Sequence, residues 1–230
     1  SFFHGGLPMN DWNLVNLNLI AKALGELSYE GILRPEKVGE GKYVLKLRSG
    51  AQYSFNAWMG IWDHLRVGPL SIKKVGHETF NAADFFLDAQ EEVEMNDIVL
   101  GNFLEEMHNS LYSDLTLLKK QRETSAKSLS YWSGEKVQAY LSGHPKILLS
   151  KGRIGWGCDE LFSYAPENER PVVLFWVAIK KSLLEFSFDD QVSMESLLEE
   201  SFSKEEMKNF LSRLEENKID FNSYLYLPVH

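Results

Sequence analysis

Residues 96–122 carry apolar side chains at helical spacing, and this pattern constrains the fold more strongly than any other feature of the sequence. Successive apolar residues lie three or four positions apart and therefore share one face of a helix. The residues of this face are Leu100, Phe103, Leu104, Met107, Leu111, Leu115 and Leu118. Asn96 or Asp97 is a suitable start, and Lys119, Lys120 and Arg122 favour the carboxyl end. The pattern predicts one long amphipathic helix, which other elements must cover.

The first hundred residues predict a second helix and an antiparallel hairpin. The helix is expected from Asn10 or Asp11 to a stop at Gly31. Its apolar residues again recur at helical spacing: Leu14, Leu17, Ile20, Ala21, Leu24 and Leu27. Residues 42–48 and 52–58 are rich in Tyr, Val, Leu and Phe and flank Arg48-Ser49-Gly50, which is typical of a β-hairpin. Further strands are predicted at residues 61–65 and 70–75.

Phe55, Trp58 and Trp62 fall on or near these predicted strands. Together they could form an aromatic surface for a ligand. Aromatic clusters on short strands belong more often to the core, and we expect these three to be buried.

The second half of the chain adds shorter elements. A helix is predicted at residues 135–141, and the apolar run 171–179 predicts a buried strand. Ser203 and Glu206 have the spacing of a capping box ahead of another amphipathic helix, and residues 224–229 predict a final strand. Helices alternating with antiparallel strands predict an α+β fold.

Composition narrows the class of protein. The 230 residues are 44% hydrophobic, enough for a real core, and the formal net charge of −9 argues against a general nucleic-acid binder. The single cysteine, Cys158, excludes an intramolecular disulfide and a multi-cysteine zinc site. No metal site is predicted at the scattered histidines. Residues 1–6 lack the features of a signal peptide and no long apolar run is present, so we expect a cytoplasmic protein without a membrane segment.

Cations, glycines and a histidine crowd into residues 143–156. Lys151 and Arg153 lie two positions apart, so in an extended chain both would point to one face. A lysine offers a compact charge, an arginine offers a planar fork of donors, and glycines allow close approach of the backbone to a ligand. The stretch therefore predicts an anion site. An ordinary surface loop is the alternative interpretation.

The order of these residues resembles a signature of the NRPS-independent siderophore synthetases, the IucA/IucC or aerobactin-synthetase-like family. That signature is Gly-His-Pro-x-His-Pro-x-x-Lys-x-Arg-x-Gly-Phe. The chain matches it with identical spacing at Gly143, His144, Pro145, Lys151, Arg153 and Gly155. Trp156 replaces the Phe, and Ile147 and Leu148 replace the second His-Pro pair. Residues 224–230 also resemble the beginning of a second family segment, Leu-Pro-Val-His-Pro-Trp-Gln.

The resemblance implies a fold and an activity. Residues 1–140 would form a thumb-like lobe of helices and antiparallel sheet, and residues 141–230 the beginning of a fingers-like antiparallel-sheet lobe, with the palm-like lobe absent. The complete enzyme would use ATP and Mg²⁺ to adenylate citrate or a related carboxylate. It would then condense this acid with a polyamine, amino-acid or hydroxylamine-type nucleophile, and a homodimer is a further expectation. The chain would be an N-terminal fragment, inactive alone.

The resemblance also suggests roles for the signature residues. Arg153 is the best candidate for a bidentate contact to phosphate or carboxylate, and Lys151 for a point-charge partner. His144 either donates to the same anion or only braces the loop beside Pro145. Gly143 and Gly155 would allow backbone approach, and no catalytic residue is assigned.

Two other interpretations remain open. The chain could be a non-catalytic anion-binding or interaction protein of the same fold, in which Ile147 and Leu148 mark a lost contact. It could also be a purely structural module with a coincidental motif.

Overall fold

The computed structural model describes residues 10–229, and these form two compact units. One unit ends at Arg170 and the other begins at Pro171. The sequence analysis puts the division after residue 140, but residues 141–170 pack with the first unit because hydrogen bonds from its helices hold them there. The signal-peptide inference on residues 1–6 and the histidine of the terminal motif, His230, lie outside the described residues.

Helices and antiparallel strands make up the first unit. The helices are α1 (Asp11–Tyr29), α2 (Ala82–Asp88), α3 (Asp97–Arg122), α4 (Ala126–Leu129), α5 (Gly134–Gln138) and α6 (Cys158–Tyr164). The strands are β1 (Glu36–Gly39), β2 (Lys42–Lys46), β3 (Gln52–Met59), β4 (Leu65–Val67) and β5 (Lys73–Lys74). The fold class is α+β, as predicted.

The two long predicted helices are confirmed, and both begin with an asparagine cap. The side chain of Asn10 accepts a hydrogen bond from the backbone of Asn13, and that of Asn96 accepts one from Val99. Along α3, the predicted apolar face is buried or packed against the core of this unit. Helix α1 contributes Leu19, Ile20, Ala23, Leu24 and others to the same core. Residues 143–156, which we call the signature loop, pack against α1 and α3.

The hairpin around Arg48-Ser49-Gly50 is also confirmed. Strands β2 and β3 are antiparallel, with Lys46 opposite Gln52 and Lys42 opposite Asn56. The sheet runs β1-β2-β3-β4, and β5 pairs with β3.

The strand predicted at residues 61–65 is wrong for its first part. Ile61–Asp63 form a short 3₁₀ turn in which Trp62 and Asp63 have positive φ angles of 63° and 56°, a conformation that no strand contains. The segment 70–75 is a strand only at Lys73–Lys74, after a second 3₁₀ turn at Pro69–Ser71. In this turn Trp62 is 84% exposed. Trp58 is 60% exposed, so only Phe55, at 2%, belongs to the core.

The second unit consists of a two-stranded antiparallel ribbon and two helices. Its strands are β6 (Phe175–Lys180) and β7 (Tyr224–Val229), and its helices are α7 (Met194–Ser201) and α8 (Lys204–Glu216). The capping box of Ser203 and Glu206 at the start of α8 is confirmed. Trp176 and Tyr226 contact Phe202 and Phe210 of this unit.

The expectation of a buried strand at residues 171–179 is wrong. The strand begins only at Phe175, which is 68% exposed, and Val177 on the same face is also exposed. The helices of this unit cover the Trp176 side of the ribbon. Within residues 10–229, every helix is too short or too polar to cross a bilayer.

Candidate functional site

The signature loop is fixed to helices α1 and α3 by side chains that bind its backbone. Lys22 of α1 donates from Nζ to the carbonyl oxygens of His144, at 3.0 Å, and Ile147. Asn109 of α3 is buried and donates from Nδ2 to the carbonyl oxygens of Gly152 and Trp156, each at 2.9 Å. These bonds satisfy loop carbonyls that regular secondary structure does not reach. The loop is therefore held in one conformation by two helices distant in sequence.

Two glycines allow the loop to pack this closely. Gly143 has φ +85°, and a Cβ atom there would lie 2.4 Å from Oγ of Ser150. At Gly152 a Cβ atom would lie 3.0 Å from the side chain of Glu106 on α3. Gly143 thus needs to be glycine both for its backbone conformation and for the space beside it.

Arg153 binds a carboxylate of its own chain. Its Nη1 and Nη2 atoms donate to Oε1 and Oε2 of Glu167 at 2.6 and 2.8 Å, and Nη1 also donates to Oγ of Ser113 at 3.1 Å. Glu167 is 2% exposed. Burial acts to raise the pKa of Glu167, but the hydrogen bonds from Arg153 and Ser113 outweigh it and lower this pKa to about 2. The planar fork of Arg153 is thus engaged in a buried ion pair.

Lys151 approaches the same carboxylate from another side. Its Nζ lies 3.7 Å from Oε2 of Glu167, and the lysine is buried. Burial lowers the pKa of Lys151, while the nearby carboxylates of Glu167 and Asp114 oppose that shift. Unlike Arg153, Lys151 also lines a cavity.

That cavity lies between α1, α3 and the signature loop and has a volume of about 270 Å³. Its polar lining includes Asn18, Lys22, Ser110, Asp114, Gln121, Ser142, His144, Ser150 and Lys151. Ligand pockets for drug-sized molecules typically measure about 300–1,000 Å³. The cavity therefore suits a small polar ligand or one anionic end of a larger one.

Asp114 gives this cavity its own acidic group. Burial raises the pKa of the Asp114 carboxyl to about 6, although the positive charges of Lys151 and Lys22 act to lower it. Burial also lowers the pKa of Lys22, against the influence of Asp114 and Glu26. Two lysines and one desolvated carboxyl thus face the same small space.

His144 braces the loop and also lines the cavity. Its Nδ1 accepts a hydrogen bond from the backbone N–H of Lys146 at 3.2 Å. When the ring is neutral, Nδ1 as the acceptor leaves the proton on Nε2, which can donate to a ligand. This hydrogen bond ties the His144 ring to the loop backbone, and both roles suggested for His144 stay predictions.

The structure brings only part of the predicted site together. Gly143, His144 and Lys151 line the cavity with Leu148, whereas Arg153 and Gly155 do not. Gly155 has φ +80° and lies one residue before Trp156, whose carbonyl Asn109 binds. Gly155 therefore allows the backbone of the loop to turn at this point.

Sequence reasoning assigned no role to Lys22, Ser110, Asp114 or Glu167. Lys22 is the single cation in α1, and Asp114 falls three residues after Leu111 and four before Leu118, on the apolar face of α3. A charged residue at such a position is a usable signal, because burial of a charge is costly without a partner or a function.

Across residues 10–229 the structure contains no group of three or more His, Cys, Asp or Glu side chains arranged to hold a metal. Magnesium usually takes carboxylate ligands together with phosphate oxygens.

Comparison with known proteins places these features in context. Residues 135–230 match the model of the IucA / IucC family. The chain is 34% identical over 220 residues to an aerobactin synthase of Escherichia coli, a match that spans 96% of this chain and 37% of that relative. It is 23% identical over 234 residues to a citryl-spermidine/3,4-dihydroxybenzoyl-citryl-spermidine:spermidine ligase of Bacillus anthracis, spanning 97% of this chain and 38% of that relative.

A solved structure shares the same architecture. The aerobactin synthetase IucC from a hypervirulent pathotype of Klebsiella pneumoniae superposes with a TM-score of 0.88 at 34% identity. The match covers 96% of this chain and 40% of that one. The chain therefore spans well under half the length of the proteins it matches.

Proposed function

Since the chain belongs to the IucA / IucC family, we propose that this protein is a siderophore synthetase, a ligase that joins a citrate-like carboxylate to an amine or hydroxyl. The observation that carries the proposal is the 34% identity to an aerobactin synthase across 96% of this chain. Because the chain spans 37% of that relative, the activity is proposed for the complete enzyme.

The proposed reaction has two steps. A carboxylate oxygen of the acid attacks the α-phosphorus of ATP, an acyl adenylate forms, and pyrophosphate leaves. The amine or hydroxyl nucleophile then attacks the acyl carbon, and AMP leaves with the bonding electron pair while the nucleophile loses a proton. Both steps bring anions together, so fixed positive charges near the reacting groups would lower the barrier.

The cavity lined by the signature loop supports this proposal. Lys22 and Lys151 both line it, and His144 can add a donor at Nε2. We propose that these three side chains bind an anionic group of the acid or of ATP. Arg153, which pairs with Glu167, would act by holding Lys151 and the loop in place.

The partners follow from the same proposal. The nucleophile would be a polyamine, an amino acid or a hydroxylamine-type amine, by analogy with the spermidine ligase among the relatives. Because the reaction consumes ATP, we propose a cytoplasmic enzyme, and a homodimer is a further proposal.

Pyrophosphate release by the full-length protein tests the function. We would supply ATP, magnesium and one of citrate, succinate or 2-oxoglutarate, with and without polyamines or hydroxylamine-bearing amines. Release that depends on one acid supports the ligase and identifies its acid substrate. A folded protein that releases no pyrophosphate across the panel would contradict the proposal.

One observation favours a second candidate, a non-catalytic anion-binding protein of the same fold. The fork of Arg153 is occupied by Glu167, and Ile147 and Leu148 stand where the signature has its second His-Pro pair. Restoring the pair with Ile147→His and Leu148→Pro distinguishes the two. A protein that is silent in the assay and gains pyrophosphate release on restoration would be a degenerate synthetase.

A further inference from the structure

A buried hydroxyl without a partner lines the α3 side of the cavity. Ser110 is 3% exposed, and its Oγ makes no hydrogen bond within residues 10–229. The large majority of buried side-chain polar atoms in proteins are hydrogen-bonded. Ser110 lines the same cavity as the signature loop, so a ligand in that cavity is a natural partner for it.

Asp114 follows Ser110 by one helical turn and therefore lies beside it on α3. Its carboxylate makes neither a hydrogen bond nor a direct ion pair with any described residue. Lys22 and Lys151 are near enough to attract it without touching it. A carboxylate that is half-buried, near two cations and without a hydrogen-bond partner has acceptor atoms open to a small ligand.

The remaining walls of the cavity carry the positive charges. The ammonium of Lys22 is fixed by two loop carbonyls, and that of Lys151 lies near Glu167. The two lysines outnumber the one aspartate of the lining, so the cavity favours an anion. The acceptors at Asp114 and Ser110 also favour a hydroxyl group on that anion. A volume of about 270 Å³ limits the group held inside the cavity to the size of a small molecule.

We propose that Asp114 and Ser110 bind the hydroxyl group of a small hydroxylated carboxylic acid whose carboxylate lies near Lys22 and Lys151. The acid class rests on the proposed function, and the recognition of its hydroxyl rests on the geometry of this cavity. Every residue of the proposed site lies in the first unit, so the 230-residue chain contains the whole site. The chain therefore binds the acid without ATP.

A matched pair of ligands tests this proposal. Citrate and propane-1,2,3-tricarboxylate differ only in the hydroxyl group. Isothermal titration of the 230-residue chain should give a dissociation constant for citrate roughly ten-fold or more below that for the deoxy acid, the size expected for a hydrogen bond to a charged group. Equal dissociation constants, or binding of neither acid, would overturn the proposal.

Variants of α3 identify the side chains that cause the preference for citrate over the deoxy acid. Asp114→Leu keeps the number and branching of the side-chain heavy atoms but has no acceptor, and it should bring the two dissociation constants within about two-fold of each other. Asp114→Asn keeps an acceptor oxygen and should retain part of the preference for citrate. Glu105→Gln removes one charge from an exposed position of the same helix and should change neither constant. A folded Asp114→Leu protein that keeps the full preference contradicts the proposal.

Ser110→Ala provides a test that does not depend on the Asp114 variants. It should reduce the preference for citrate at least three-fold, and an unchanged preference would remove Ser110 from the site. The synthetase assay gives an independent outcome. Citrate binding that requires Asp114, with no pyrophosphate release by the full-length protein, would reject the proposed function and leave the hydroxyl-binding site intact.

Discussion

Glu167 is the residue on which the two signature cations converge, and its ionised form stabilises the first unit. Hydrogen bonds lower its pKa from 4.5 to about 2, which corresponds to about 3 kcal/mol. Because the folded-state pKa is depressed, this stability is present above pH 4.5 and is lost as the pH falls towards 2.

We expect Glu167→Gln to lower the free energy of unfolding by about 3 kcal/mol at pH 7, since Arg153 and Lys151 lose their buried counter-charge. The difference from the parent protein should shrink as the pH falls below 4.5. Urea unfolding at a series of pH values measures it. Glu169→Gln, which removes a more exposed partner of Lys120, should cost less than about 1 kcal/mol, and similar losses for both variants would contradict the expectation.

Asp114 has the opposite effect on stability at neutral pH. Burial raises the pKa of its carboxyl from 3.8 to about 6, so the ionised form destabilises the folded state above pH 6. Asp114→Asn should therefore raise the free energy of unfolding at pH 7.5 by as much as about 3 kcal/mol. The gain should decrease as the pH falls through 6 and vanish below 3.8, where the carboxyl is protonated in both the folded and the unfolded state. A gain that is independent of pH in the same urea experiment would show that desolvation of Asp114 is not its cause.

The signature loop and its cations could be located from the sequence, but not which of the two cations lines the cavity. Both Lys151 and Arg153 suit an anion, and the difference between them comes from Glu167, fourteen residues after Arg153. That glutamate follows Pro166 in an ordinary-looking run. Its burial depends on contacts with Ser113 of α3, which residue spacing does not reveal.

At the level of elements, the long helices and the hairpin were predictable because their periodicity extends over many residues. The turn at Ile61–Asp63 was not. Aromatic and β-branched residues favour strands, and left-handed backbone is usually signalled by glycine or asparagine, which this turn lacks. Helix α2 is short, and its only strong local signal is the capping box of Asn81 and Asp84.

The end of α8 offers a test of local backbone strain. Lys218 follows the helix with φ +52°, a position where glycine is favoured. Lys218→Gly should therefore raise the free energy of unfolding by about 0.5–1 kcal/mol. Lys208→Gly, the same exchange at an exposed position inside α8, should lower it by about 1 kcal/mol. Thermal unfolding of both variants measures the contrast, and two changes of the same sign would refute it.

At the scale of the whole molecule, we expect the 230-residue chain to bind the acid without catalysing the reaction. The chain spans 37% of the length of an aerobactin synthase, and the cavity of about 270 Å³ cannot hold a nucleotide together with an acid. We therefore expect the 230-residue chain alone to release no pyrophosphate from ATP and citrate. A coupled pyrophosphate assay checks this, with the full-length protein as the positive control. Turnover by the chain alone would mean that the catalytic groups lie within it.

The bonds from Lys22 to the signature loop also set an order of events during synthesis. The ribosome must add 122 residues after Lys22 before the carbonyl of His144 exists to accept its hydrogen bond, and at about 5–20 residues per second this takes roughly 6–24 seconds. During that interval the ammonium of Lys22 remains hydrated, while α1 can already fold against the hairpin. The pocket can therefore close only after the residues of α1 and α3 that support it have been synthesised.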